Sequence, residues 1–213
     1  VTSIVVGKFA WHLPLNRQTD MLRGQGIALD RSTLVHWVIR AAWWLKPLYE
    51  RQLAIILAGS RVFSDETPMP VLDPGRGQTK RGQFWSHAVD DRPWGGPAPP
   101  AVAYVYAEGR SMADLASQVQ GFTGILQVDG YGSYKGLARR HPQIQLAFCL
   151  AHARRKFVAV YKATHAPLAR DVIASLGEVY AIEARIRGRR AEERRAVRQT
   201  ETKPILEALK TRL

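Results

Sequence analysis

The chain predicts an α/β fold: a mixed five-stranded sheet flanked by helices and preceded by a small helical segment. Three observations carry this. Three short apolar strands, in Arg61–Pro68, Gln83–Val89 and Ala101–Ala107, are separated by turn-rich stretches, so they should pair antiparallel. From Met112 onward, helical and strand patterns alternate, and a crossover helix makes the following strand parallel to a neighbour. Finally, the apolar run Ile125–Val128 stops at Asp129, with Gly130 and Gly132 close behind. A strand ending in a carboxylate at a glycine turn places that acid at the carboxyl edge of a sheet, where sites in α/β folds gather.

Residues 7–58 read as helical. Leu13–Gln25 has apolar positions at Leu15, Met21 and Leu22 and is closed by Gly24 and Gly26. Asp30 or Ser32 then caps a helix whose stripe is Leu34, Trp37, Val38, Ala41, Trp44 and Leu45. These two helices fit a helix-turn-helix whose second member suits a DNA groove. They fit equally a helical hairpin with its tryptophans in the core, or a docking surface that leaves them exposed. Pro47 marks a helix start or kink, and Leu48–Leu57 reads as a further helix ending at Gly59.

Pro68 is expected to stop the first strand, and Pro70–Lys80 reads as a turn rich in Gly, Pro and basic residues. Asp65 and Glu66 are neighbours in that strand, so only one of them can face a given site. Asp90 and Asp91 read as turn formers, and Trp94–Pro100 as a loop. Met112–Val119 is a helix, Gly124–Val128 the fourth strand and Tyr134–Arg140 a short basic helix. Gln143–Phe148 is the fifth strand, Ala151–Thr164 a long basic helix and Ala169–Arg187 another. The tail from Arg189 to Leu213 is charged and helical. The expected organisation is a helical segment over 1–59, a sheet domain over 60–190 and a basic tail over 191–213.

At 213 residues the chain is long enough for a real core. Its net charge of +13 points to a polyanionic partner, most often nucleic acid, although a basic surface can also be merely solvated. The longest apolar stretches, Leu53–Ala58 and Val102–Ala107, are too short to span a bilayer. A single cysteine, Cys149, excludes an internal disulfide framework and suits a reducing cytosol. The start, Val1-Thr-Ser-Ile-Val-Val, has no signal-peptide character. Because the chain does not begin with Met, a piece of a longer protein is expected.

The element order, helices and then β-β-β-α-β-α-β-α, is that of a ribonuclease H-like domain. If the first and fourth strands are adjacent and parallel, Asp65 and Asp129 meet at their ends. Phosphodiester chemistry at neutral pH needs an activated oxygen nucleophile and compensation of developing charge. Two Mg²⁺ ions about 3.5–4 Å apart supply both, and two or three carboxylates suffice to hold them. A third acid must come from a helix over the same edge: Glu183 is the best placed, with Glu178 its rival. Arg154, Arg155 and Lys156, and the cluster Arg185, Arg187, Arg189 and Arg190, are suited to holding phosphates. Cys149 and His152 have ligand-like spacing, but nothing else in the chain completes a zinc set, so a structural role is expected for both.

Asp65-Glu-Thr-Pro-Met-Pro-Val-Leu-Asp-Pro-Gly-Arg-Gly-Gln-Thr-Lys resembles the first acidic motif of transposases of the insertion sequence 66 family, and Gln127-Val-Asp-Gly-Tyr-Gly-Ser-Tyr their second. Cys149-Leu-Ala-His-Ala-Arg-Arg-Lys-Phe, Tyr180-Ala-Ile-Glu and Glu192-Glu-Arg-Arg-Ala-Val-Arg-Gln are similar to their downstream blocks. Upstream, Lys8-Phe-Ala-Trp-His-Leu-Pro-Leu-Asn-Arg-Gln and Leu29-Asp-Arg-Ser-Thr-Leu-Val-His-Trp also match. The resemblance covers nearly the whole chain with co-linear motifs. It implies a DDE transposase core in which Asp65, Asp129 and Glu183 are catalytic and bind Mg²⁺ or Mn²⁺. The implied reaction is hydrolysis at the element ends followed by attack of the freed 3′-hydroxyl on target DNA. The implied partners are double-stranded DNA, as terminal repeats and target, and further copies of the chain. The implied location is the bacterial cytoplasm, at the nucleoid when DNA-bound. Relatives of this type usually carry more sequence on both sides. Two alternatives stay open: a catalytically inactive DNA-binding remnant, and a nuclease or resolvase without strand transfer.

Overall fold

A computed structural model describes residues 1–213, which form two compact units, Val1–Gln52 and Leu53–Leu213. The first holds α1 (Thr2–Phe9), α2 (Leu15–Gly24) and most of α3 (Arg31–Leu57). Gln18 is buried between α1 and the chain entering α2, its amide donating to the carbonyls of Ile4 (3.2 Å) and Leu13 (3.0 Å). The Asp30 carbonyl accepts from the N–H groups of Thr33 and Leu34 at the start of α3. Pro47 lies inside α3 rather than dividing it into two helices, as the sequence suggested. Proline removes one backbone donor, leaving the carbonyl four residues back without its partner. Residues 42–50 are all exposed, so water can reach that carbonyl and the helix runs on. Trp43 and Trp44 are each 64% exposed, so neither is core.

The second unit is built on one sheet of order β3-β2-β1-β4-β5. Its strands are β1 (Arg61–Asp73), β2 (Gln78–Val89), β3 (Ala101–Ala107), β4 (Gly124–Val128) and β5 (Ile144–Phe148). β1, β2 and β3 pair antiparallel, while β1–β4 and β4–β5 are parallel. This is the mixed five-stranded, ribonuclease H-like arrangement expected from the element order. The helices are α4 (Met112–Gln118), α5 (Gly132–Arg140), α6 (Leu150–Thr164), α7 (Pro167–Arg185), α8 (Ala191–Val197) and α9 (Lys203–Arg212), with a π-helical turn at Arg198–Thr202. α4 opens with a reciprocal cap in which the Ser111 hydroxyl accepts from the Asp114 N–H and the Asp114 carboxylate accepts from the Ser111 N–H.

Two strand expectations are corrected. Pro68 does not stop β1, and most of 70–80 is the far end of a long hairpin, with pairing out to Asp73↔Gln78. Pro68 and Pro70 have the same parity, so both missing donors can lie on the side away from β2. Beyond Phe63, β1 has no strand on that side, and proline is tolerated at such an edge.

Alternation divides β1 and β4 into two faces. Val62, Ser64, Leu126 and Val128 are buried; the three apolar ones join a core with Trp85 of β2, Leu115 of α4 and Tyr134 and Leu137 of α5. The intervening odd-numbered residues face the other way. The register is pinned at the start of β4. Gly124 has φ +138°, and a Cβ there would stand 2.4 Å from the Ser60 carbonyl oxygen, a contact only glycine permits. The same Ser60 oxygen accepts from the Ile125 N–H.

Candidate active site

The parallel ladder between β1 and β4 runs Arg61↔Ile125, Val62↔Leu126 and Phe63↔Gln127. Asp65 and Asp129 each stand two residues beyond the last of these pairs, and so share the odd face. Both line one small cavity of about 140 Å³, with Phe63, Ser86, Cys149 and His152 in its walls. Asp129 is held by the turn that follows it, its Oδ1 accepting from the Tyr131 N–H at 2.8 Å. Gly130 makes this turn with φ +98°. Asp65 Oδ1 accepts from the Glu66 N–H at 3.1 Å. Neither aspartate forms an ion pair, unlike Glu66 and Glu183. The acids brought together are two; no third His, Cys, Asp or Glu joins them in a ready-made metal set.

Glu66 occupies the opposite face. Its side chain is 1% exposed and accepts from the Arg110 guanidinium and from the Tyr134 hydroxyl at 2.8 Å. Burial, the largest influence, together with the nearby Glu66 charge holds the Tyr134 hydroxyl well above its usual ionisation range. Arg110 also stacks on the Tyr131 ring at 3.7 Å, so this buried network braces the turn that carries Asp129. Only one member of the Asp65–Glu66 pair faces the cavity, as strand alternation requires.

Glu183, on α7, does not line the cavity of the two aspartates. It accepts from Arg198 Nε and Nη2, both at 2.6 Å, and Arg194 stands 3.8 Å away. The Arg198 hydrogen bonds are the main reason its carboxyl titrates below the usual glutamate range. Arg194 and Arg198 belong to a second cavity of about 460 Å³, together with Arg61, Trp94, Phe63 and Gln127. Phe63 and Gln127 also line the aspartate cavity, so the two spaces adjoin. Arg61 stacks on Trp94 at 3.7 Å. Glu178 is exposed on α7 and forms no ion pair.

The basic residues singled out by sequence have different surroundings. Arg155 and Lys156 are exposed on α6, while Arg154 is half-buried with its Nε unpartnered. Arg185 is engaged by Glu201, whereas Arg187, Arg189 and Arg190 are exposed after α7. Cys149 and His152 are not core residues: both stand in the wall of the aspartate cavity, and His152 Nδ1 is buried without a partner. Sequence reading passed over Arg61, Arg194 and Arg198 as site residues. The block Glu192–Gln199 contained a signal, since three arginines are crowded into it, but the convergence of two of them, Arg194 and Arg198, on Glu183 is a tertiary event.

No helix is long and apolar enough to cross a membrane. The profile of the Transposase IS66 family matches residues 1–213. Among curated proteins of Sinorhizobium fredii (strain NBRC 101917 / NGR234), uncharacterized protein y4jD is 56% identical over 99% of this chain and 42% of its own length. Uncharacterized protein y4qI is 39% identical over 97% of this chain and 39% of its own length. Uncharacterized protein y4hP is 34% identical over 97% of this chain and 40% of its own length. The chain thus spans about two fifths of these relatives. With its fold, its paired aspartates and a match over every residue, the chain belongs to the IS66 transposase family.

Proposed function

We propose that this chain is a DDE-type catalytic core that cuts DNA at element ends and joins the freed 3′-hydroxyl to target DNA. The observation that carries the reading is the meeting of Asp65 and Asp129 in one cavity, on the same strand face, with neither held in an ion pair. Their donor set fits a divalent metal: hard carboxylate oxygens, beside space for water. Asp65 and Asp129 would hold Mg²⁺ or Mn²⁺, which supplies an activated water and offsets charge on the phosphate. Asp129 is fixed for this role by the Tyr131 N–H and by the Glu66–Arg110 brace behind it. Arg61, Arg194 and Arg198 then receive the backbone phosphates entering the adjoining cavity. Arg154, Arg155 and Lys156, with Arg187, Arg189 and Arg190, extend that contact along the duplex.

Glu183 is the third acid in this scheme, one cavity away and held by arginines. A phosphate that draws Arg198 toward itself weakens the Glu183 pair and frees the carboxylate for the site. Joining two DNA ends calls for at least two protomers. The Glu183–Arg198 pairing also favours a second reading, a form that binds DNA without cutting it.

The deciding experiment is cleavage of a labelled duplex carrying the element end, with Mg²⁺ or Mn²⁺, by wild type and Asp129→Asn. We expect wild type to nick the end and Asp129→Asn to bind without nicking. Equal nicking by both would sink the assignment. Salt-sensitive binding by both with no nicking would establish the non-cutting form.

A further inference from the structure

We propose that the cavity on the far side of Asp129 takes an unstacked nucleobase at the end of a DNA strand, a reading that rests on the transposase function above. This cavity, of about 450 Å³, is separate from the two already described and lies within the range of small-ligand sites, roughly 300–1,000 Å³. It shares Asp129 and Cys149 with the aspartate cavity, so its occupant sits beside the acids. Phe148, Phe157 and Val160 make its walls apolar, and Lys135 and Lys156 stand among them.

Phe148 is the central feature. It ends β5, is 51% exposed and lines this cavity where it opens to solvent. The Gly130 backbone lies against its ring, where an added Cβ would be 3.5 Å from Cδ1, and the Lys135 ammonium stands 5.8 Å from its centroid. An accessible aromatic with cations nearby is the chemistry that binds single-stranded nucleic acid. The ring stacks a base, and the ammonium groups meet the phosphates that flank it. Neither Lys135 nor Lys156 is tied up in an ion pair. The apolar walls offer little that could read a base edge, so the site should accept any base.

A base still stacked in a duplex cannot lie on this ring; a base at a frayed or freshly cut end is the one unstacked at least cost. The occupant is therefore a strand terminus lying next to the acids that would produce it. Base–aromatic stacking corresponds to roughly 5–150-fold in affinity, which sets the size of the expected effect.

The test uses the 213-residue chain without metal and DNA carrying 2-aminopurine at the last position of a short 3′ overhang, against the same base inside a blunt duplex. We expect the overhang probe to change emission on binding, and the blunt probe to remain silent. Phe148→Ala should weaken overhang binding at least about fivefold and abolish the emission change, with blunt-duplex affinity kept within about twofold. Phe148→Trp should restore both. Because Phe148 is half exposed, truncation leaves the core intact, and retained duplex binding verifies the fold. Emission change and affinity that persist in Phe148→Ala would overturn the proposal. Equal competition by free dAMP would overturn the strand end as occupant. Failure here is separable from failure of the transposase reading, which is judged by metal-dependent nicking in Asp129→Asn.

Discussion

Asp65 and Glu66 are adjacent in sequence and chemically alike, yet the two faces of β1 give them opposite circumstances. Glu66 is buried, paired with Arg110 and hydrogen-bonded by Tyr134. Asp65 lies on a cavity wall with Asp129 and has no cationic partner. A buried carboxylate that stays charged needs a partner, and Glu66 has its partners on the core side of the sheet. An acid left unpaired beside another acid is suited instead to a partner that arrives from outside. The difference between structural and candidate catalytic carboxylates in this protein is set by one step along a strand.

The strongest way to break that contrast is to exchange the consequences of the two acids. Asp65→Asn should lower metal-dependent cleavage roughly a thousandfold while leaving the melting temperature nearly unchanged. If Asp65→Asn cleaves normally, the two faces do not differ in function. Arg110→Met attacks the other face. It leaves Glu66 as an uncompensated buried charge and should cost about 3 kcal/mol in urea denaturation.

Glu183→Gln sharpens the contrast, because this acid is paired yet only half-buried. Activity should fall about 10–100-fold in the nicking assay, with less than about 1 kcal/mol lost in stability. Unchanged nicking would reduce the site to its two aspartates.

The smallest effect concerns His87, fully buried in β2 between the Ser64 hydroxyl and the Gln118 side chain. Burial lowers its pKa below the ordinary value near 6.5. The unfolded chain therefore takes up the proton first. This contribution is complete above about pH 6.5 and is lost as pH falls toward the folded-state value. The slope is at most about 1.4 kcal/mol per pH unit. Thermal melts between pH 7.5 and 5 should show this loss, and His87→Asn should flatten it.

Much of this arrangement was legible in the sequence because it rests on local rules. Alternation along β1 predicts that Asp65 and Glu66 diverge, and the crossover at α4 predicts that β4 runs parallel. Together these bring Asp65 and Asp129 side by side, although Asp65 stands inside the long β1 and not at its end as expected. What escaped depends on surroundings that sequence does not display. Pro68 and Pro70 read as strand breakers, but they are harmless where β1 has no neighbour on one side. Pro47 reads as a helix boundary, but water can replace the lost donor in an exposed stretch. The pairing of Glu183 with Arg198 joins residues 15 positions apart on different elements, beyond the reach of any helical periodicity. Phe148 read only as the last residue of the fifth strand, and the neighbouring helix α6 makes it the wall of a cavity.

The glycine that opens β4 has a consequence for the paired acids. Gly124 touches no acid, yet its close approach to Ser60 fixes how far β4 slides along β1 and therefore where Asp129 arrives. A single Gly124→Ala change would force the two backbones apart and shift Asp129 away from Asp65, with every acid still present. The pairing of Asp65 with Asp129 can be lost in this way while both acidic motifs remain intact. The presence of both acids therefore does not by itself secure their pairing; the spacing of two backbones must survive as well.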